Sequence, residues 1–223
     1  MLIIYRILIN IVFIFSPIII IFRLLKKKEH FKRFKEKFCF FSKEKKIGKL
    51  IWFHGASVGE LQSIMPLIKK LEKNKNIKQI LITSNTLSSS KVIQKYKFKK
   101  IVHQFFPIDT NFLSKKFINY WKPSAVYFID SEIWPNIINN LNKKKIPIVL
   151  LNGRITEKTF NKWMNVHNFA KNIFRKFDLC LSSNNKSKII KLFLLKIAFS
   201  NIFFRFVSII KLVSSFKRIC SSS

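Results

Sequence analysis

Six short apolar runs, each followed by a polar turn and a segment of helical periodicity, dominate the chain from Lys49 onward. They span residues 50–54, 79–83, 101–105, 125–129, 148–151 and 177–181. Their length and apolar character predict strands, and the segments between them place apolar residues on one face of a helix. Such alternation is typical of a parallel sheet with helices on both sides. We therefore predict an α/β fold, a Rossmann-like parallel sheet, over residues 49–188.

Two of the connecting helices are predicted as continuous elements. The first begins near Glu60, because Leu61, Ile68 and Leu71 recur at the spacing of one helical face. The second begins after Thr156, a residue type that caps helix N-termini, and runs to about Lys176.

The first 24 residues are predicted to form a membrane anchor. Residues 7–22 are almost wholly apolar, and counted from Leu2 the segment approaches the ~20 residues that span a bilayer. A strongly basic segment, residues 25–48, follows it and suits anionic head groups on the cytoplasmic side. The anchor either spans the bilayer or lies in its interface, and a buried core helix is the alternative.

The chain is strongly basic, with 43 Lys and Arg against 10 Asp and Glu. The lysines are scattered over the whole chain, and no nucleic-acid reading module accompanies them. We therefore predict no nucleic-acid partner and expect the charge to favour an anionic membrane and phosphorylated substrates.

Cysteine and histidine spacing indicates no metal site. The three cysteines are far apart, with no C-x-x-C pair, and the four histidines lack ligand spacing. This pattern fits a reduced, cytoplasmic environment without a disulfide framework.

The turn after the first strand, residues 54–60, carries the clearest chemical signal. Gly55 and Gly59 allow positive φ or the close approach of a ligand to the backbone. A helix N-terminus there favours a bound anion or an ionised Glu60, which could serve as a general base. In the alternative interpretation Glu60 only complements the helix dipole.

Polar clusters follow five of the predicted strands. They lie at 54–60, 83–90, 130–132, 152–154 and 182–184. Ligands of open parallel sheets bind beyond the carboxyl ends of the strands, so these clusters predict one site along one edge.

Within that site, two carboxylates, Glu60 and Glu132, are expected to flank a crevice that also holds Arg154. The set suits an anionic sugar or phosphate ligand, with one carboxylate deprotonating a hydroxyl nucleophile. Glu132 pairing with Arg154, and a purely structural His54, stay open as alternatives. Trp134 is expected to serve packing or the start of a helix.

Three motifs at strand ends, H-x-x-S-V-G-E, S-E-I-W-P-N and N-G-R-I-T, resemble the 3-deoxy-D-manno-octulosonic acid (Kdo) transferase family. Enzymes of this family move Kdo onto lipid A precursors. The resemblance runs from the N-terminal anchor through about Lys188. It implies the N-terminal half of a two-domain GT-B glycosyltransferase at the cytoplasmic face of the inner membrane.

The resemblance also implies the reaction and its residues. The donor is CMP-Kdo, the acceptor is the lipid A precursor lipid IV-A, the anomeric carbon inverts, and no metal or other cofactor is required. Glu60 matches the family's general base and Glu132 its second important acidic position. His54, Ser57, Gly59, Asn152 and Arg154 are the implied substrate-binding residues.

Several positions depart from the family pattern. Gly153 stands where the family usually has Ala, and the turn 84–90 lacks the usual Pro and Gly. Residues 189–223 replace the family's second, nucleotide-binding domain and contain neither acidic residues nor glycine. We interpret this tail as the product of a frame disruption or as an amphipathic membrane-binding segment.

In either case the chain alone is expected to be poorly active or inactive. The rival hypothesis is a non-catalytic, membrane-tethered module that binds a lipid or an anion.

Overall fold

A computed structural model describes residues 1–96, 98–153 and 156–182 of the chain. Six parallel strands in this part form one sheet in the order β3-β2-β1-β4-β5-β6. Their bounds are β1 Lys49–His54, β2 Ile77–Ser84, β3 Ile101–Phe105, β4 Ala125–Ile129, β5 Ile148–Gly153 and β6 Leu179–Ser182. The predicted α/β fold with a Rossmann-like parallel sheet is confirmed.

The helices connect consecutive strands, except for α1 at the N-terminus. They are α1 Leu2–Leu25, α2 Val58–Ser63, α3 Met65–Lys73, α4 Leu87–Lys95, α5 Asn111–Trp121, α6 Pro135–Lys143, α7 Glu157–Met164 and α8 His167–Phe174. A short 3₁₀ helix spans Phe34–Phe38. Side-chain caps start several of them: Thr86 accepts from Ser89 N and Thr110 accepts from Leu113 N.

Both helices predicted as continuous are broken in two. Pro66, in the first turn of α3, has no N–H for the carbonyl of Gln62, so the helix that starts at Val58 ends at Ser63. The second break follows Met164, where residues 165–168 are four weak helix formers in succession.

Two layers of apolar side chains cover the faces of the sheet. In β1, Leu50 and Trp52 pack towards α5, α6 and α8, while Ile51 and Phe53 pack towards α2, α3 and α4. These four side chains are at most 5% exposed. The alternation along β1 is what a strand covered on both faces requires.

The N-terminal helix α1 lies along the domain on one of its faces. Tyr5 donates to Asp109, Phe13 packs edge-on against Phe38, and Ile20 is buried. The opposite face is apolar and exposed along its whole length: Ile4, Ile7, Ile11, Ile14, Phe15, Ile18 and Phe22. Only 11% of the most apolar stretch of α1 is buried, so α1 is not a core helix.

The basic segment that follows α1 is held against β3 and α5. Glu36 is buried and accepts hydrogen bonds from Arg33, from Ser42 and from the backbone N–H of Phe105. Cys39, also buried, donates to the carbonyl of Leu113. This segment therefore ties α1 to the edge of the sheet nearest β3. The predictions made for the tail, residues 189–223, concern residues outside the described part of the chain.

Candidate active site

The strand order reverses between β1 and β4, because the chain builds β2 and β3 on one side of β1 and then crosses to the other. In open parallel sheets the crevice beyond the carboxyl ends of two such strands is the usual ligand site. A cleft of about 320 Å³ lies there. Its lining consists of Ser57, Gly59, Glu60, Ser63, Ile129, Asp130 and Asn152.

The turn from β1 into α2 is shaped by two glycines with different roles. A Cβ on Gly55 would meet side-chain atoms of Leu61 and Ile129 at 3.1 and 3.2 Å, closer than most such contacts, so glycine suits the close packing here. A Cβ on Gly59 would meet nothing within 4 Å, because Gly59 faces open space at the cleft. Neither glycine has a positive φ, so backbone freedom does not explain them. At Gly55 the reason is the close approach of the Leu61 and Ile129 side chains.

Glu60 and Ser57 form a variant of the capping box at the start of α2, in which Glu60 accepts from the Ser57 hydroxyl and from the N–H of the residue before Ser57. The backbone N–H of Glu60 donates to Ser57 Oγ (3.3 Å), and the Ser57 hydroxyl donates to Glu60 Oε1 (2.7 Å). Glu60 Oε2 accepts from the backbone N–H of Ala56 (2.8 Å). These bonds fix the carboxylate at the cleft, and its two oxygens keep room for a further donor because each can accept twice.

The other side of the cleft comes from the ends of β4 and β5. Asp130 and Asn152 both adopt the left-handed backbone conformation, with φ of 63° and 53°. The Asn152 amide donates to Ser63 Oγ (3.2 Å), and the Ser63 hydroxyl donates to the carbonyl of Glu60 (2.7 Å). These contacts join β5 to α2 across the cleft.

A buried network begins at His54, the last residue of β1. His54 is fully buried and stacks on Phe106. Its Nδ1 lies 2.9 Å from Thr83 Oγ1, and its Nε2 lies 3.1 Å from Glu132 Oε2. The indole N–H of Trp134, the N-cap residue of α6, donates to the same Glu132 oxygen (2.8 Å).

Comparison with known proteins identifies the family to which this fold and site belong. The family model described as 3-deoxy-D-manno-octulosonic-acid transferase matches residues 32–196, well over half of the chain. The chain belongs to this family. The family predicted from the three motifs is confirmed.

Several curated Kdo transferases are similar to this chain. A probable mitochondrial Kdo transferase of Arabidopsis thaliana is 38% identical over 66% of this chain and 34% of its own length. The Kdo transferase of Rickettsia bellii is 37% identical over 72% of this chain and 38% of its own. That of Haemophilus influenzae is 26% identical over 61% and 32%. The chain thus spans between about a third and two fifths of the length of these relatives.

The structure separates the residues predicted for the site into two groups. Ser57, Gly59, Glu60 and Asn152 line the cleft. His54 and Glu132 belong to the buried network beside it, and Arg154 lies outside the described residues. Glu60 and Glu132 were expected to flank one crevice; Glu60 lines the described cleft, whereas the carboxylate of Glu132 accepts from Trp134 and lies 3.1 Å from His54 Nε2 beside it.

The network holds Glu132 in its ionised form. Burial alone works against the charge, but hydrogen bonds and charge from His54, together with the Trp134 N–H, outweigh it and lower the pKa of Glu132. In this Kdo transferase family member, His54 and Glu132 therefore fix the start of α6 beside the cleft.

Sequence reasoning missed the two polar residues Asp130 and Ser63 of the cleft lining, and it placed Ile129 only in a strand. Asp130 belongs to the polar cluster 130–132, but neither its left-handed backbone conformation nor its place in the cleft could be predicted from the sequence. Ser63 could have been found, because it lies one helical turn after Glu60 and so shares its face of α2.

Proposed function

We propose that this chain supplies the acceptor-binding part of a Kdo transferase in lipopolysaccharide biosynthesis, which moves Kdo from CMP-Kdo to lipid IV-A. The observation that carries the proposal is the position of Glu60. It lies in a cleft at the reversal of strand order, within the segment that matches the family model. Reactive groups of α/β folds are concentrated at such an edge.

The chemistry of the cleft favours a sugar. Its polar lining consists of two carboxylates, two hydroxyls and one amide, contributed by Glu60, Asp130, Ser57, Ser63 and Asn152. Carboxylates accept hydrogen bonds, and sugar hydroxyls donate them. A glucosamine hydroxyl of lipid IV-A matches this set of groups, with Glu60 as the acceptor for its proton.

Glu60 is proposed to act as the general base. The acceptor hydroxyl attacks the anomeric carbon of Kdo, and its proton passes to the Glu60 carboxylate. The new C–O bond forms as the bond from that carbon to the CMP phosphate breaks, and CMP leaves with the electron pair. Attack on the face opposite CMP inverts the anomeric carbon, and the step uses no metal ion or other cofactor.

Membrane association is proposed to occur through α1 and the basic segment. Because Tyr5 and Arg6 contact Asp109 and Asn136 of the domain, and Ile20 near the other end of α1 is buried, α1 fits a helix lying in the interface better than one crossing the bilayer. Its exposed apolar face would enter the acyl region, and the lysines of residues 25–48 would bind anionic head groups. We place the chain at the cytoplasmic face of the inner membrane, where lipid IV-A is accessible.

Acceptor binding can be tested with the 223-residue chain in detergent micelles. We expect saturable binding of lipid IV-A that is at least tenfold tighter than binding of a phospholipid of equal charge. Equal affinity for the two lipids would overturn the proposal.

Transfer can be tested in a chimaera in which residues 49–182 replace the matching segment of the Rickettsia bellii relative. Transfer of Kdo from CMP-Kdo to lipid IV-A is the expected result. A chimaera that is folded and binds both lipid IV-A and CMP-Kdo but transfers no Kdo would favour the rival function, a membrane-tethered lipid-binding module.

A further inference from the structure

The start of α6 cannot be capped by its own N-cap residue. Trp134 stands at that position, and its indole has an N–H donor but no acceptor for the backbone N–H groups of the first turn. Pro135, the first helical residue, has no N–H, so the groups that need an acceptor there are those of Asn136 and Ile137. The acceptor has to come from another part of the chain.

Asp109 supplies this acceptor from outside the helix. Its Oδ2 accepts from the N–H of Asn136 (2.9 Å), and its Oδ1 accepts from the N–H of Ile137 (2.8 Å). An N-cap side chain binds the same groups of the second and third helical residues, and the helix dipole favours a carboxylate there. The Asn136 amide donates in return to the carbonyl of Asp109 (2.6 Å). Asp109 and Asn136 are both fully buried, so water does not compete for these bonds.

The N-terminal helix α1 holds the Asp109 cap in place. The Tyr5 hydroxyl donates to Asp109 Oδ2 (2.8 Å), the same oxygen that accepts from the Asn136 N–H. Arg6, the next residue of α1, donates through Nε to the side-chain oxygen of Asn136 (2.9 Å). Two consecutive residues of α1 therefore bind the two partners of the cap, and these bonds require α1 to lie against the domain.

On its other side the start of α6 contacts the network beside the cleft. The Trp134 indole N–H donates to Glu132 Oε2 (2.8 Å), which lies 3.1 Å from His54 Nε2. His54 is the last residue of β1 and Glu132 follows β4, so the network joins the ends of the two strands at which the strand order reverses. A displacement of the first turn of α6 would move Trp134 and change its contact with Glu132.

We infer that Asp109 is a positioning residue for the acceptor site: it caps α6 in place of the helix's own N-cap residue and, held by Tyr5, makes the docking of α1 part of the geometry beside the cleft. Without this cap, the N–H groups of Asn136 and Ile137 would be buried without an acceptor, and the first turn of α6 would move to satisfy them. The inference rests on the proposed function, because it takes the cleft as the acceptor site.

The test uses the 223-residue chain in detergent micelles, with ¹⁵N-labelled tryptophan, and follows the indole N–H resonance of Trp134 by NMR. A Trp134→Phe variant assigns this resonance among those of the four tryptophans. In Asp109→Ala the resonance should move, because the contact between the indole and Glu132 changes. The affinity for lipid IV-A should fall about tenfold, as when only about one molecule in ten keeps the geometry of the site.

Tyr5→Phe is the second variant, and it keeps the Asp109 carboxylate. It should move the Trp134 resonance in the same direction by a smaller amount, because the cap remains and only its bond to α1 is lost. Since this variant removes a single hydroxyl, it decides the question if Asp109→Ala does not fold.

The matched control is Thr110→Ala. Thr110 is the neighbour of Asp109 in the chain and also caps a helix, but that helix is α5, where its hydroxyl accepts from the N–H of Leu113 (3.1 Å). This variant should lose stability and yet keep the Trp134 resonance and the lipid IV-A affinity of the unchanged chain.

The outcomes separate the two claims. A Trp134 resonance that stays in place in Asp109→Ala or in Tyr5→Phe overturns the inference and leaves the proposed function standing. An equal movement in Thr110→Ala also overturns the inference, since it would show a general loss of structure. Absence of lipid IV-A binding by the unchanged, folded chain overturns the proposed function, and with it the acceptor site that Asp109 is inferred to position.

Discussion

The hydroxyl of Tyr5 donates a hydrogen bond of 2.8 Å to the carboxylate of Asp109, a contact between residues 104 positions apart. Asp109 is fully buried and also accepts from the first backbone N–H groups of α6, those of Asn136 (2.9 Å) and Ile137 (2.8 Å). Pro135 is the first residue of α6, and Trp134, its N-cap residue, donates to Glu132. The N-terminal helix is thus joined through Asp109 to the element that borders the site.

We predict that Tyr5→Phe destabilises the chain by about 1 to 3 kcal/mol, because it takes a donor from a buried carboxylate. The measurement is urea unfolding in detergent micelles, followed by tryptophan fluorescence. Tyr120→Phe is the matched control, since its hydroxyl donates to the Lys43 carbonyl at an exposed position. The control should change the free energy of unfolding by less than about 0.5 kcal/mol. Equal effects of the two variants would contradict the role assigned to Asp109.

The buried position of Asp109 also predicts a pH dependence. Burial raises the pKa of Asp109 to about 7, against the lowering effects of the N–H groups of Asn136 and Ile137, the Tyr5 hydroxyl and the charge of Arg6. Between pH 4 and pH 7 the folded chain therefore binds more protons at this group than the unfolded chain. The contribution of Asp109 to stability is full below pH 4 and is lost as the pH rises through 7.

Relative to Asp109→Asn, the unchanged chain should lose roughly 2 to 3 kcal/mol of unfolding free energy between pH 5 and pH 8. Urea unfolding of both proteins across this range measures the difference, and groups common to both cancel. A difference that is constant with pH would show that Asp109 does not titrate there.

The capping box predicts a separation of stability from function. Ser57→Ala and Thr110→Ala each remove an N-cap, and each should cost about 0.5 to 2 kcal/mol of stability. Only Ser57 also binds the Glu60 carboxylate, so only Ser57→Ala should slow Kdo transfer by the chimaera, by about tenfold. Thr110 caps α5, away from the cleft. Equal transfer rates for the two variants would show that the orientation of Glu60 is independent of Ser57.

Glu132 is predicted to be a positioning residue. Glu132→Gln replaces a carboxylate that contacts His54 and Trp134 with a neutral amide. It should lower the free energy of unfolding by about 1 to 3 kcal/mol at pH 7. Because the folded pKa of Glu132 is lowered, this contribution is present above its unfolded pKa and is lost as the pH falls through the folded value.

The cost of Glu132→Gln should accordingly shrink in acid, below about pH 4. In the chimaera, Glu132→Gln should reduce kcat by less than tenfold and leave the affinity for lipid IV-A unchanged. A loss of transfer as large as that of a Glu60 variant would instead indicate a catalytic role for Glu132.

The sheet could be predicted from the sequence because its strands are short and mostly apolar, as expected for strands of parallel sheets, which are buried on both faces. The cleft wall formed by α2 could be predicted in part, since Ser57 and Glu60 have the spacing of a capping box. Their mutual hydrogen bonds agree with that spacing, while both interpretations of Glu60, as a complement to the helix dipole and as a general base, stay predictions.

The remaining features depend on contacts that sequence spacing does not encode. The partner of Glu132 is His54, which is 78 residues away in the chain. The left-handed turn at Asp130 decides which acidic residue lines the cleft, and Asp tolerates that conformation without requiring it. Tyr5 and Arg6, two polar residues at the start of an apolar segment, join α1 to Asp109 and Asn136.

The central claim is that Glu60 removes the proton of the acceptor hydroxyl, and one rate measurement tests it most directly. The rate of Kdo transfer to lipid IV-A would be measured in the chimaera with Glu60 and with Glu60→Gln, each with and without EDTA. The affinity of both proteins for lipid IV-A would be measured as well. Loss of a general base predicts a rate about 10² to 10⁴ times lower for Glu60→Gln, with binding within about twofold and no effect of EDTA. A Glu60→Gln chimaera that transfers Kdo within tenfold of the unchanged rate would contradict the account.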